Sequence, residues 1–258
     1  MPGRDLDLLI TASQKAGKIA LHHWQSDQKI IEKPNDAGPV SEGDLAVDAY
    51  LHKTLRAARP DYGWLSEETI DTAERLDKKR VFIVDPIDGT RSYIAGERTW
   101  ALSLAIVEDG QPIAAVVYLP ARQKLYSART GQGAFLNNLK IHASAKQAAE
   151  GATMLAPRSN LQLQHWPGGV PNVTKHFRPS LAYRLSLIAE GRFDAMLTLR
   201  DTWEWDIAAG ALIASEAGAV VSDKNGASLR LNSQGTKSRG VLVAPPPIHA
   251  ALLQRLTP

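Results

Sequence analysis

The chain has 258 residues, of which 44% are hydrophobic and 22% are charged. This length and composition exclude a disordered chain, a collagen-like fibre and a coiled coil, and they allow one or two domains. The chain has no cysteine, which excludes a disulfide framework, a thiolate zinc site and a cysteine nucleophile. Thirty basic residues nearly balance 27 acidic ones, so the net charge of +3 argues against a nucleic-acid partner on composition alone.

Hydrophobic residues are spread along the chain in short runs. The first 20 residues lack the continuous apolar segment of a signal peptide. The most apolar region, residues 100–120, is interrupted by Glu108, Asp109, Gly110 and Pro112, so no segment reaches the roughly 18 apolar residues of a membrane span. We therefore expect a soluble, cytoplasmic protein with no membrane partner.

The first half of the chain predicts helices followed by an antiparallel sheet. Apolar residues at helical spacing predict a helix over 5–24, and a second helix is expected over 42–58, ended by Pro60. Asp109-Gly110 is typical of a tight turn and predicts a hairpin between strands at 100–108 and 112–119. Shorter strands are expected at 29–32, 63–66, 81–84, 124–128 and 133–136.

The second half predicts strands alternating with helices, which indicates an α/β layer. Strands are expected at 153–156, 195–199, 219–222 and 240–243, and helices at 181–190, 206–217 and 249–256. The change of pattern predicts an N-terminal α+β subdomain over 1–147 and a C-terminal α/β subdomain over 148–258. The pair Gly131 and Gly133 is more typical of a turn than of a phosphate-binding loop.

A short acidic segment, Asp85-Pro86-Ile87-Asp88-Gly89-Thr90, follows the buried strand at 81–84. The strand delivers Asp85 to its carboxyl end, Pro86 turns the chain, and Asp88 can then point to the same side as Asp85. Gly89 permits a close backbone approach, and Thr90 can begin a helix whose free N–H groups favour an anion. Two carboxylates this close repel each other unless a cation lies between them. Oxygen ligands favour magnesium or manganese, although the segment alone could also be a turn in which Asp88 caps a helix.

Two further acidic motifs strengthen the metal interpretation. Ser66 followed by Glu67 and Glu68 is, by itself, typical of a helix start. Asp206 after Trp205 could, by itself, be the cap of a helix. Because all three motifs follow or begin predicted secondary-structure elements in this order, together they favour one shared site.

The three motifs resemble those of the inositol monophosphatase family of magnesium-dependent, lithium-sensitive phosphatases. The resemblance covers the chain from Lys33 to the final strand. It implies a layered α-β-α-β-α sandwich of mixed α+β and α/β character, often as a homodimer. It also implies a phosphoric monoester hydrolase with a small phosphorylated substrate and two to three Mg²⁺ ions in each site, with Mn²⁺ as a substitute.

The resemblance implies roles for individual residues. The implied metal ligands are Glu67, Asp85, the Ile87 carbonyl, Asp88 and Asp206. The implied catalytic residues are Glu67 together with Asp44 and Thr90, which would orient and deprotonate the attacking water. Asp44 on its own could instead be an exposed acid at a helix start. The implied substrate-binding residues are Asp88, Gly89, Thr90, Arg158, Arg184 and Asp206.

The sequence leaves the substrate open between two enzyme types of the family. Inositol monophosphate is the general expectation, and a 3′(2′),5′-bisphosphate nucleotidase that converts 3′-phosphoadenosine 5′-phosphate to AMP is the alternative. Three segments resemble the corresponding segments of the nucleotidases, and they contain Gly43, Leu65 and Arg158. The segment after Thr90 departs from both enzyme types. Arg184 lies where nucleotidases tend to carry a lysine for the second phosphate, although it could be a surface arginine. A non-catalytic role as a transcription or RNA-processing partner is a third alternative.

Overall fold

The computed structural model describes residues 3–34 and 38–256. Its helices are α1 (Gly3–His23), α2 (Glu42–Ala58), α3 (Thr90–Ile94), α4 (Leu181–Ala189), α5 (Glu204–Glu216) and α6 (Pro246–Leu256). All six lie where the sequence predicts a helix or the start of one, although α5 begins two residues and α6 three residues earlier than expected. No helix within these described ranges is long and apolar enough to cross a membrane.

The first strands form a short hairpin and then one large sheet. The hairpin consists of β1 (Ile30–Glu32) and β2 (Pro39–Ser41), which pair antiparallel. The large sheet has seven strands in sequential order: β3 (Gly63–Ser66), β4 (Arg80–Asp88), β5 (Ala101–Glu108), β6 (Gln111–Leu119), β7 (Lys124–Arg129), β8 (Ala134–Leu136) and β9 (Leu139–Ile141).

The pairing of β3 with β4 is parallel, whereas the other pairs of the large sheet are antiparallel. The predicted all-antiparallel sheet is therefore wrong at this edge. The long connection over residues 67–79 contains a 3₁₀ turn at Ala73–Asp77 and returns the chain to the end of the sheet from which β3 began. As a consequence, β3 and β4 end at the same edge, and the residues that follow Ser66 lie beside the end of β4.

The later strands form a mixed five-stranded sheet and a small ribbon. The sheet contains β10 (Ala152–Leu155), β11 (Val173–His176), β12 (Ala195–Thr198), β14 (Val220–Ser222) and β16 (Val241–Ala244), in the order β11-β10-β12-β16-β14. The ribbon pairs β13 (Thr202–Trp203) with β15 (Lys237–Ser238) immediately before α5.

The helices cover both faces of both sheets, because alternate side chains of the central strands are apolar on each face. In β4, Phe82 packs in a core with Leu9 of α1 and Leu51 of α2, whereas Ile83 packs in a core with Leu185 of α4 on the other face. The outer face of the five-stranded sheet packs against α6. The order of layers is α-β-α-β-α, which confirms the predicted sandwich.

One hydrophobic core crosses the predicted boundary between the two halves. Helices α4 and α5 belong to the second half, yet Leu185 and Ile207 share a core with Val81 and Ala105 of the large sheet. The division into subdomains at 147/148 stays a prediction. The consequence for the site is that residues from both halves meet beside the middle layer.

Candidate active site

Three carboxylates converge where β4 ends and α5 begins. One oxygen from each of Asp85, Asp88 and Asp206 lies within 4.8 Å of the others. In a regular strand, side chains three residues apart point to opposite faces. The pairing of β4 with β5 is irregular between Asp85 and Asp88, and this bulge brings both carboxylates to one side. Strand β4 continues through Pro86 to Asp88, so the predicted turn at Pro86 is wrong.

Helix α5 brings Asp206 to the same place from the other half of the chain. Trp203 is the N-cap of α5, so Asp206 lies within the first turn and does not cap the helix. The hydroxyl of Ser103 donates to the Trp205 carbonyl at 3.0 Å. Since Ser103 lies opposite Asp85 in the β4–β5 pairing, this bond holds the start of α5 against the strands that carry the other two acids.

Burial and mutual repulsion make full ionisation of these acids unfavourable. The pKa of Asp85 is raised well above its usual range, first by burial and then by the nearby carboxylates of Glu67, Asp88 and Asp206. Desolvation and then repulsion by Asp88 raise the pKa of Asp206, although its side chain is only half-buried. Burial raises the pKa of Asp88 to about 6. A cation between the three oxygens would therefore stabilise the charged forms of these acids.

One fully buried oxygen of the triad has no hydrogen-bond donor in the described part of the chain. Asp85 Oδ1 is buried and has no hydrogen-bond partner within the described residues. A buried carboxylate oxygen without a partner is costly in a folded protein. An all-oxygen donor set with one such atom fits a hard divalent cation, and the chain offers no thiolate ligand because it has no cysteine.

Asp88 is held by α4 of the second half. Its Oδ2 accepts hydrogen bonds from the Ser180 hydroxyl at 2.7 Å and the Ala182 N–H at 2.6 Å. Ser180 is also the N-cap of α4, where its hydroxyl accepts from the Tyr183 N–H. These bonds oppose the effect of burial on the Asp88 pKa and leave its other oxygen for the triad.

Asp44 and Thr90 form a hydrogen-bonded pair beside the triad. The Thr90 hydroxyl lies 3.1 Å from Asp44 Oδ1 and 3.1 Å from the Ile87 carbonyl oxygen. The other Asp44 oxygen accepts from the N–H and the hydroxyl of Ser41, at 2.9 and 2.5 Å, in a capping box at the start of α2. Asp44 is buried, so it is not the exposed helix-start acid of the alternative interpretation, and burial raises its pKa to about 6.

Glu67 and Glu68 follow β3 in a bend, and no helix begins at this point of the described chain. The Glu67 N–H donates to the Val84 carbonyl at 3.3 Å, which places Glu67 beside Asp85 at the shared edge of the parallel strands. The Lys33 ammonium donates to Glu67 Oε1 at 2.9 Å and to Glu68 Oε1 at 2.7 Å. The predicted helix-start alternative for this motif is therefore wrong.

Gly89 joins the acidic segment to α3. It is the N-cap of α3 and has a φ of +99°, a left-handed conformation that side chains rarely adopt. A Cβ atom at this position would also lie 3.2 Å from the Thr99 carbonyl oxygen. The glycine therefore lets α3 begin at Thr90, as the sequence predicts, directly beside Asp44.

Comparison with known proteins identifies the relatives of the chain. A sequence model of the inositol monophosphatase family matches residues 4–257. The chain belongs to the inositol monophosphatase family. Its members are phosphoric monoester hydrolases, and the protein is an enzyme of this class.

Two similar proteins carry different names. A protein of Rhizobium meliloti named inositol-1-monophosphatase is 33% identical over 232 residues, and the match covers 86% of each chain. A protein of Escherichia coli named Nus factor SuhB is 30% identical over 231 residues, covering 86% of this chain and 85% of the relative. The solved structure of an IMPase from Thermotoga maritima superimposes with a TM-score of 0.84 at 26% identity, covering 98% of this chain and 96% of the other.

Arg184 and Arg158, the two arginines predicted to bind substrate, lie in different environments. Arg184 is buried in α4, where its guanidinium donates to the carbonyls of Arg178 and Pro179 and lies 4.4 Å from the ring centre of Phe177. It is not the surface arginine of the alternative interpretation, and its charge opposes the rise that burial causes in the pKa of Asp88. Arg158 is exposed in a 3₁₀ turn after β10.

Sequence reasoning missed three supporting residues, Lys33, Ser41 and Ser180. A capping signal was present for Ser41, because an acid follows three residues later, and for Ser180, because it precedes an apolar helix. Neither signal indicates which acid the serine also contacts. Lys33 carried no local signal at all, since its two partners lie 34 and 35 residues away.

Proposed function

We propose that the protein is a Mg²⁺-dependent phosphomonoesterase that hydrolyses a small phosphate monoester with water as the nucleophile. The observation that carries this proposal is the convergence of Asp85, Asp88 and Asp206 around an unpaired, buried carboxylate oxygen. Two to three metal ions in a site would be held by Glu67, the Ile87 carbonyl and these three acids. Bound Mg²⁺ would lower the pKa of water and neutralise charge on the phosphate and the leaving oxygen.

The residues beside the triad have distinct tasks in this proposal. Asp44, already bonded to the Thr90 hydroxyl, accepts the proton of the attacking water through that pair. Its pKa of about 6 suits a group that must exchange a proton near neutral pH. The backbone N–H groups of Gly89 and Thr90, at the start of α3, orient the phosphate oxygens.

The proposed substrate is an inositol monophosphate or a similar small polyol phosphate. The 33% identical relative from Rhizobium meliloti is named an inositol-1-monophosphatase, which supports this choice. The test is phosphate release from inositol monophosphate, 3′-phosphoadenosine 5′-phosphate, histidinol phosphate and fructose bisphosphate with saturating Mg²⁺. We expect the highest kcat/KM for inositol monophosphate, and a higher value for the adenosine bisphosphate would favour the nucleotidase alternative instead.

Arg184 is the residue that supports the nucleotidase alternative. Its buried charge acts on both Asp88 and Asp206, so it lies close to the proposed metal ligands. A second phosphate beyond the metals would need such a cation, with Arg158 as an additional contact. In that case Arg184→Ala would lower kcat/KM for the adenosine bisphosphate roughly tenfold to a hundredfold and would leave inositol monophosphate turnover nearly unchanged.

Several family properties belong to the same proposal. We expect lithium to inhibit turnover when Mg²⁺ is near its half-saturating concentration, and we expect Mn²⁺ to replace Mg²⁺. A homodimer in the cytoplasm is the expected state. Sedimentation of the purified protein tests the dimer, and full activity at high lithium would contradict the lithium expectation.

A second candidate function is a role as a transcription or RNA-processing partner. The 30% identical relative named Nus factor SuhB supports it. This function predicts that an Asp85→Asn variant without turnover still binds components of the transcription machinery in a pull-down. Loss of turnover without such binding would leave the phosphatase proposal as the sole function.

A further inference from the structure

Lys33 lies between two adjacent carboxylates at the edge of the site. Its Nζ is 2.9 Å from Glu67 Oε1 and 2.7 Å from Glu68 Oε1. The Lys33 side chain is only 17% exposed, and that of Glu68 is 5% exposed. One ammonium therefore neutralises part of the charge of two neighbouring acids in a largely dry environment.

The backbone around Lys33 connects this ion pair to the catalytic pair. Lys33 follows β1, and its N–H donates to the Gly38 carbonyl at 2.9 Å, which extends the β1–β2 hairpin by one bond. The hairpin ends at Ser41, which donates two hydrogen bonds to Asp44. The same hairpin thus contacts Glu67 through Lys33 and Asp44 through Ser41.

The two carboxylates contacted by Lys33 differ in their surroundings. Glu68 is nearly enclosed and makes the shorter contact, whereas Glu67 is 23% exposed and lies beside Asp85. Glu68 therefore anchors the ammonium. Glu67 contacts the ammonium and follows β3 at the strand edge beside Asp85, so it can bond to either the ammonium or a cation on the side of Asp85.

We propose that Lys33 is a positioning residue that serves as an internal counter-cation and competes with the metal for Glu67. This rests on the proposed function, because it requires a metal ion at Glu67. A divalent cation at Glu67 brings two like charges close together in a partly desolvated place, which is unfavourable. Lys33 therefore weakens metal binding at Glu67, keeps Glu67 in place when the metal leaves, and retains its bond to Glu68 throughout.

The test is isothermal titration of the metal-free protein with Mg²⁺, combined with thermal melting. In Lys33→Gln the two glutamates lose their counter-charge, so we expect Mg²⁺ to bind about tenfold more tightly and the metal-free protein to melt at a lower temperature. Lys33→Arg keeps the charge and should bind Mg²⁺ within about twofold of wild type. Melting of each variant also confirms that it is folded.

Lys124→Gln is the matched control. Lys124 Nζ lies 2.9 Å from both Glu190 oxygens and is 23% exposed, so this change removes a similar ion pair away from the site. It should lower the melting temperature and leave Mg²⁺ affinity unchanged. An equal gain of affinity in Lys124→Gln would mean a general effect of net charge and would overturn the proposal.

Asp85→Asn separates failure of this proposal from failure of the proposed function. If Asp85→Asn binds Mg²⁺ as wild type does, the metal assignment itself is wrong, and the role of Lys33 falls with it. If Asp85→Asn loses Mg²⁺ but Lys33→Gln binds it no more tightly than wild type, the metal site stands and the competition by Lys33 is rejected. A lower melting temperature of Lys33→Gln with unchanged affinity would mean a purely structural role.

Discussion

Two buried aspartates, Asp44 and Asp85, show how neighbours decide what an acid can do. Asp44 has both oxygens occupied by donors, from Ser41 and Thr90, so it is held in one orientation. Asp85 is equally buried but leaves one oxygen without a donor in the described structure. The donors fix the orientation of Asp44 and oppose its protonation, while burial raises its pKa to about 6. The free oxygen of Asp85 suits a group that binds a cation.

The Thr90 hydroxyl is the testable link between Asp44 and the acidic segment. Thr90→Ala removes the hydrogen bond to Asp44 and the contact with the Ile87 carbonyl, so we expect kcat to fall about a hundredfold, a typical loss for proton-transfer catalysis. Thr90→Ser retains the hydroxyl and should keep most of the activity. Steady-state kinetics measure both, and wild-type kcat in Thr90→Ala would show that the pair takes no part in catalysis.

At this scale the sequence predicted residues that occur in local motifs and missed those that act over a distance. Asp85 and Asp88 were predicted because they lie in one short motif around Pro86, although a bulge in β4, and not a turn, brings them together. Ser180 and Lys33 contact the same site from 92 and 34 residues away, and spacing along the chain carries no signal of such contacts. The roles of Arg158 and Arg184 stay predictions.

At the scale of secondary-structure elements, helix α5 is held in place by a buried glutamate. Glu204, the first residue of α5, accepts hydrogen bonds from the N–H of Asn232 at 2.6 Å and from the N–H and hydroxyl of Ser233 at 2.9 and 2.5 Å. Burial raises its pKa, and these three bonds act in the opposite direction. Because Asp206 lies in the next half-turn, the loop at 232–233 helps to fix one proposed metal ligand.

Glu204→Ala should destabilise the protein and loosen the position of Asp206. The change leaves two half-buried N–H groups without their acceptor, so we expect a loss of about 1–3 kcal/mol in the free energy of unfolding. Urea denaturation measures this loss, and weaker Mg²⁺ binding should accompany it. Glu74→Ala, at an exposed position, is the control that should change neither quantity, and an unchanged free energy in Glu204→Ala would contradict this account.

Elements with strong local signals were predicted, whereas some of the very short strands were not. The hairpin of β5 and β6 forms at Asp109 and Gly110, which have φ angles of 52° and 81°. The strands β9, β13 and β15 have only two or three residues, too few to show an alternating pattern.

Gly131 and Gly133 do form a turn, and their N–H groups donate to the Glu216 carboxylate at 2.8 Å each, so a side chain of the protein itself is the anion there.

At the scale of the whole molecule, the site joins layers that come from opposite halves of the chain. Asp85 and Asp88 belong to the large sheet, whereas Asp206 belongs to α5 between the two sheets. The layered order was implied by the resemblance to the family, and it forms because strands with two apolar faces need cover on both. The parallel pairing of β3 with β4 did not follow, since strand direction depends on the path of the 67–79 connection.

Without metal, the stability of the folded protein should fall as the pH rises. Burial raises the pKa of Asp44 and Asp88 from 3.8 to about 6 and that of Glu68 from 4.5 to about 7. The folded protein therefore holds these protons more tightly than the unfolded chain. This stabilisation is complete below about pH 4 and is lost as the pH rises through about 6 to 7.

Scanning calorimetry of the metal-free protein at pH 5 and pH 8 tests this linkage. We expect the lower melting temperature at pH 8. Saturating Mg²⁺ should reduce or reverse the difference, because the metal binds the deprotonated carboxylates and stabilises the folded state that holds them. A metal-free melting temperature that rises from pH 5 to pH 8 would mean that the buried acids do not control stability in this range.

The central claim is that Asp85, Asp88 and Asp206 form a metal centre for phosphate-ester hydrolysis. The most direct measurement is phosphate release by Asp85→Asn at saturating Mg²⁺, with Asp5→Asn as a control at a buried aspartate that pairs with Arg59 away from the site. We predict that Asp85→Asn loses almost all turnover while remaining folded, and that Asp5→Asn loses stability but keeps its kcat. Near-normal turnover by a folded Asp85→Asn protein would contradict the metal centre.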